Sequence, residues 1–146
     1  MIQTIGDGPL ALDTVAFIYF IEEHPRFLPV LDPVFAAIDE GRLAAIASSL
    51  TLLEVVVVPY RAGNIPLAER YEQMLTHSRG LRLVDVDRAQ LRSAAQLRAI
   101  HPGLRTPDAI QISAALSSGC SALLTNDRDL PAVPGLRILQ LKNFAK

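Results

Sequence analysis

The chain has 146 residues, half of them hydrophobic and a fifth charged, which sets aside disorder and low complexity and suits a single domain over residues 1–146. Its one cysteine, Cys120, excludes an internal disulfide and a thiolate metal site; His24, His77 and His101 lack ligand-like spacing, which argues against zinc. The formal charge of −1 marks no strongly basic nucleic-acid binder. If several acids belong to a cation site, however, the rest of the chain is net positive, so charge alone does not decide the partner. The first residues lack the basic stretch and long apolar core of a signal peptide. No uncharged apolar run reaches the ~18 residues that cross a bilayer, because Glu54 interrupts the longest candidate. A cytoplasmic, soluble protein is expected.

In chain order, Pro9 to Asp13 reads as a short buried strand ending in an acid. Thr14 to Glu23 has helical spacing at Phe17, Ile18 and Ile21, and Pro25 closes it. Phe35 to Glu40 reads as a helix stopped by Gly41, and Leu43 to Ala47 as a second strand, with Ser48-Ser49 opening the next helix. Leu50 to Tyr60 is contested. Val55 to Val58 favours a strand by β-branching, whereas Thr51-Leu52-Leu53-Glu54 fits a capping box; helix is preferred, ending by Gly63-Asn64.

An amphipathic helix follows over Leu67 to Ser78, then a half-exposed strand over Leu81 to Val86. Asp87 caps a helix to about Ile100, which His101-Pro102-Gly103 breaks. Thr106 as N-cap, Pro107 and Asp108 open a mostly apolar, buried helix that Gly119 stops. Ala122 to Thr125 is a buried strand, and Leu136 to Leu141 a last strand at the sheet margin. This alternation predicts an α/β fold, a three-layer α/β/α sandwich on a mainly parallel sheet.

Parallel sheets place ligand sites beyond the carboxyl ends of their strands. Asp13 ends the first strand, Asp127 follows the fourth, and Glu54 lies early in the helix leaving the second. The helix that Asp108 opens must run antiparallel to the strand after it, which brings Asp108 to the same edge. Each acid also has a local structural account: Asp13 as an N-cap, Glu54 in a capping box with Thr51, Asp108 on a helix dipole, Asp127 in an Asx-turn. Together they repel one another unless a cation sits among them, and an oxygen-only cluster suits Mg²⁺ or Mn²⁺.

Four segments, Leu12-Asp13-Thr14, Ser48 to Glu54, Thr106-Pro107-Asp108-Ala109 and Leu124-Thr125-Asn126-Asp127, resemble in order and spacing those of a PIN-domain ribonuclease, specifically a VapC-type toxin of a type II toxin–antitoxin pair. The resemblance runs from Leu10 to about Leu141. It implies a PIN-like sandwich, a metal-dependent endoribonuclease acting on RNA, a homodimer, and a small antitoxin that blocks the site. Val15 departs from the pattern, since many relatives carry a small polar residue there, and several residues precede the first acid.

On this reading Asp13, Asp108, Asp127 and Glu54 are both the catalytic and the metal-binding set. Asp13 and Asp108 hold the main Mg²⁺ or Mn²⁺, Asp127 binds it directly or through water, and Glu54 holds a second ion or orients the water. Thr14 and Asn126 steady the acids, Asp129 is an additional candidate ligand, and Arg105 and Arg128 are candidate RNA contacts. Phe17 and Tyr71 are expected in the core. Leu52, Val55, Val56 and Tyr60 on a sparsely charged helix are expected to contribute to an interface. A dehalogenase-type phosphatase would need an aspartate at Val15, a P-loop enzyme a glycine-rich loop, and a receiver domain a nearby lysine, while the only lysines are Lys142 and Lys146. The alternative is a non-catalytic PIN-like module that binds protein or RNA, with vestigial acids.

Overall fold

The computed structural model describes residues 1–6 and 8–146. After a short helix α1 (Ile2–Ile5), the elements run β1 (Leu10–Leu12), α2 (Thr14–Ile21), α3 (Leu28–Asp39), β2 (Ala45–Ser48), α4 (Leu50–Arg61), α5 (Ile65–His77), β3 (Leu81–Val84), α6 (Arg88–Ile100), α7 (Thr106–Ser117), β4 (Ala122–Thr125) and β5 (Arg137–Gln140). The strands form one sheet of order β3-β2-β1-β4-β5, and every pairing is parallel. Among the described residues no helix is long and apolar enough to cross a membrane.

The strands are short and apolar because both faces are covered. Leu10, Leu12, Ala45, Ala47, Ala122, Leu124 and Leu139 join Phe17, Phe35, Val55 and Tyr71 in one core layer. The alternate residues Ala11, Ile46 and Leu123 join Ala109, Ile112 and Ala115 of α7 in the other. Phe17 and Tyr71 are buried as expected, each side chain of that size contributing about 2 kcal/mol by leaving water.

The order 3-2-1-4-5 contains one reversal. The chain winds outward from β1 through β2 to β3, then returns to lay β4 on the other side of β1. A crevice opens at such a reversal, beyond the carboxyl ends of the two strands that flank it. Here those strands are β1 and β4, which end immediately before Asp13 and two residues before Asp127.

Three local expectations are corrected. Helix α3 begins at Leu28, seven residues before the expected start, because Pro29 occupies the first turn and Pro33 is accommodated in the interior. An interior proline costs about 3 kcal/mol, and burial of Leu31, Val34, Phe35, Ala37 and Ile38 offsets it. Helix α7 starts at Thr106 rather than being capped by it: Arg105 is the N-cap, and the Thr106 hydroxyl accepts from Arg98 Nη1 at 2.8 Å. The Thr51–Glu54 capping box does not form. Ser49 is the N-cap of α4 without a side-chain bond, and Thr51 and Glu54 turn inward. Gly119, at φ 69, ends α7 as expected.

The N-terminal extension is tied to the sheet. Ile5 is fully buried, its carbonyl accepts from Ser121 Oγ, and the Arg137 guanidinium of β5 donates to the carbonyls of Thr4 and Ile5.

Candidate metal centre

A cleft of about 680 Å³ opens at the reversal, and Asp13, Glu54, Asp108 and Asp127 all line it, together with Thr14, Asn126, Asp129 and Arg105. Val15, Ile18 and Tyr19 of α2 and Gly103 and Leu104 before α7 complete the lining. The structure thus brings the four acids to one place from four separate segments. It also brings Thr14, Asn126, Asp129 and Arg105 there, but Arg128 is exposed and does not line the cleft.

Asp13 is the most constrained acid. Its backbone N–H donates to Leu124 O at 3.0 Å, which fastens the end of β1 to β4. Oδ1 accepts from the Thr14 N–H at 2.8 Å and Oδ2 from the buried Thr125 hydroxyl at 2.7 Å. It is therefore a helix cap and a cleft residue at once. Burial pushes its carboxyl above the usual range, the charges of Glu54 and Asp127 add to that, and the Thr125 and Thr14 bonds oppose it.

Glu54 is held by a network that begins in α7. Thr14 Oγ1 donates to Glu54 Oε1 at 2.7 Å and lies 3.2 Å from Thr51 Oγ1. Gln111 Nε2 stands 3.0 Å from Thr51 Oγ1 and 3.3 Å from both Thr14 Oγ1 and Glu54 Oε1. The i,i+3 spacing of Thr51 and Glu54 puts both on the face of α4 that meets α2 and α7. Gln111 was not legible as a site residue: it sits in the apolar run Ala109 to Leu116 and carries no charge. The available signal was a lone amide at Asp108 plus three, on the same helical face.

Asp108 and Asp127 stand differently. Arg105 Nε donates to Asp108 Oδ2 at 3.1 Å, and Arg105 Nη2 lies 3.8 Å from Asp127 Oδ2, with the arginine side chain 72% exposed. Burial raises the Asp108 carboxyl above its ordinary range; Arg105 opposes this, while Asp127 and Asp13 add to it. Asp127 makes the expected Asx-turn, its Oδ1 accepting from the Asp129 N–H at 2.9 Å, and its own N–H donates to Thr125 Oγ1. Asn126 Oδ1 accepts from the Lys142 N–H, and Asp129 is exposed.

The donor set is entirely hard oxygen, which fits Mg²⁺ or Mn²⁺. Burial, with the neighbouring carboxylates adding to it, raises the Asp13 and Asp108 carboxyls, and a cation would oppose that. Among the described residues no three such side chains stand close enough to ligate one ion as they are. Arg105 instead supplies the positive charge between Asp108 and Asp127.

The PIN domain model matches residues 10–136. The chain belongs to the PIN domain family. The PIN fold is shared with VapBC2 of Rickettsia felis bound to a DNA fragment from its promoter (TM-score 0.70, 18% identity, 90% of this chain and 97% of that one). It is shared with DNA-bound VapBC of Salmonella typhimurium (TM-score 0.65, 23% identity, 92% and 99%). A third likeness is to VapC20 of Mycobacterium tuberculosis, a sarcin–ricin loop cleaving toxin (TM-score 0.67, 14% identity, 82% and 91%). At these identities the likeness is one of fold. No curated protein matched the sequence.

The expected apolar face of α4 is redistributed. Val55 is buried, Leu52 and Val56 pack partly against the core, and of the four only Tyr60 is exposed. The exposed apolar residues of this helix are Leu53, Val57, Val58 and Tyr60.

Proposed function

We propose that this PIN-domain protein is an Mg²⁺- or Mn²⁺-dependent endoribonuclease and the toxin of a toxin–antitoxin pair. The observation that carries the reading is the meeting of Asp13, Glu54, Asp108 and Asp127 in one cleft at the reversal of the sheet. Asp13, Asp108 and Asp127 would hold the ion, whose chemistry once bound is to lower the pKa of a water and neutralise charge on the phosphate. Asp13 is held in place by Thr125 and by the start of α2. Glu54, steadied by Thr14, accepts a proton from the attacking water or orients it. Arg105, which lines the cleft with Asp129, contacts an RNA phosphate, and the exposed Arg128 is a further candidate contact.

The toxin role draws on the family and on the folds of toxin–antitoxin complexes. The exposed Leu53, Val57, Val58 and Tyr60 supply apolar surface for a short antitoxin or a second copy of the chain. Purified protein incubated with broad RNA pools should cut RNA with Mg²⁺ or Mn²⁺ and stop with EDTA. Cleavage that persists in excess EDTA contradicts the metal mechanism, and no cleavage in any pool favours a binding module with vestigial acids. Sedimentation at micromolar concentration should show a dimer, and a strict monomer contradicts it. Co-expression with the neighbouring reading frame should neutralise the chain.

A further inference from the structure

Gln111 is 5% exposed on the inner face of α7, three residues beyond Asp108, and its amide faces three oxygens. The direction of each hydrogen bond follows from the chemistry. A carboxylate only accepts, so the Thr14 hydroxyl must spend its proton on Glu54 Oε1. Thr14 Oγ1 is then free only to accept, and the Thr51 hydroxyl at 3.2 Å is placed to donate to it. Thr51 Oγ1 in turn accepts from Gln111 Nε2 at 3.0 Å. Turning the amide over would set its carbonyl oxygen 3.3 Å from the Glu54 carboxylate, so the nitrogen belongs there. The result is a chain of donors running Gln111 to Thr51 to Thr14 to Glu54, each bond polarising the next.

We propose that Gln111 is a positioning residue for Glu54. With Thr14 and Gln111 directed at Oε1, that oxygen is committed to the protein, and Oε2 serves the cleft. Glu54 therefore works through a single oxygen, as an acceptor for the attacking water or for the water shell of an ion, and not as a two-oxygen clamp on metal. This deepens, and rests on, the nuclease reading above. It also separates Glu54 from Asp13, whose link to the sheet does not pass through Gln111.

The test is a double-mutant cycle between Gln111→Met, which keeps the length and the apolar fit but removes the donor, and Glu54→Ala. Melts of the four metal-free proteins come first. Gln111→Met should lower the melting temperature by about 3 °C in the wild-type background, the scale of losing one ordinary hydrogen bond in a chain of this size, and by less than about 1 °C beside Glu54→Ala. In RNA cleavage, Gln111→Met should lower kcat by about 10–100-fold with KM within about twofold and Mn²⁺ affinity within about threefold. It should add nothing to Glu54→Ala. Additive melts, a wild-type kcat in Gln111→Met, or a further fall in the double variant would each overturn the proposal. If the wild type cuts no RNA, the nuclease reading fails while the melts still decide whether Gln111 acts on Glu54.

Discussion

The two pairs of acids in the cleft are held on different principles. Asp13 and Glu54 stand on a wired side, where Thr125, Thr14, Thr51 and Gln111 fix their oxygens through a connected set of partly buried hydrogen bonds from β4, α2, α4 and α7. Asp108 and Asp127 stand on a looser side, where the nearest countercharge is Arg105, a side chain in open solvent. A connected network shielded from bulk water sets geometry before any ligand arrives; a solvent-exposed ion pair is worth little and yields to a competing charge. Under the proposed nuclease reading this is a division of labour: the wired side sets Asp13 and Glu54 before any ligand arrives, and the looser side lets Asp108 and Asp127 exchange Arg105 for a cation that Asp13 would share.

The wired side is disabled most severely by Glu54→Gln. The substitution keeps the acceptor oxygen for Thr14 but removes the charge, so cleavage should fall on the order of a thousandfold, about 4 kcal/mol of barrier, with the melting temperature nearly unchanged. Stopped-time cleavage assays read the first quantity and calorimetry the second. Thr14→Val interrupts the donor chain while preserving shape. It should cost about 10–100-fold in kcat, and an equal loss in KM would show that Thr14 acts on RNA binding instead.

On the looser side, Arg105→Ala should leave the fold intact and act on RNA binding. If the guanidinium meets one phosphate, the slope of log affinity against log salt should fall by about 0.7 in a single-stranded substrate. An unchanged slope would leave Arg105 as a partner of Asp108 and Asp127 only.

The smallest effect is a pH dependence. Asp13 and Asp108 carboxyls lie above their ordinary 3.8 in the folded chain, chiefly through burial. The folded state thus binds these protons more tightly than the unfolded state. Their contribution favours the metal-free fold below the unfolded value and is lost as pH rises through the raised ones. The stability difference between wild type and Asp13→Asn should therefore narrow as pH is lowered from neutral in EDTA. A difference that is flat with pH would mean that Asp13 titrates normally.

The acids were legible because topology does most of the work: a run such as Ala122 to Thr125 or Leu10 to Leu12 is a strand by composition, and an acid just past it belongs to the sheet edge. What was not legible lay where side chains chose tertiary partners over local ones. Thr51 and Glu54 form a capping-box pattern, yet their oxygens go to Thr14 and Gln111, a choice set by helices 40 and 57 residues away. Gln111 is hidden by its apolar neighbours. The start of α3 was masked by Pro29 and Pro33, because the cost of a proline is local while the burial that offsets it is not. Val55 reads as interface from sequence and is core because α4 packs against α2 and α5.

The most direct measurement is a set of thermal melts of wild type and Asp13→Asn, each with EDTA and with Mn²⁺. Asp13→Asn keeps the oxygen that accepts from the Thr14 N–H and removes one of the repelling charges. The account predicts that, without metal, the variant melts at or above the wild type. Mn²⁺ should raise the wild type, by about 2.7 kcal/mol at a hundredfold excess over its dissociation constant, and raise the variant far less. A variant that melts well below the wild type in EDTA, yet keeps the full Mn²⁺ shift, would contradict the account and place the metal elsewhere.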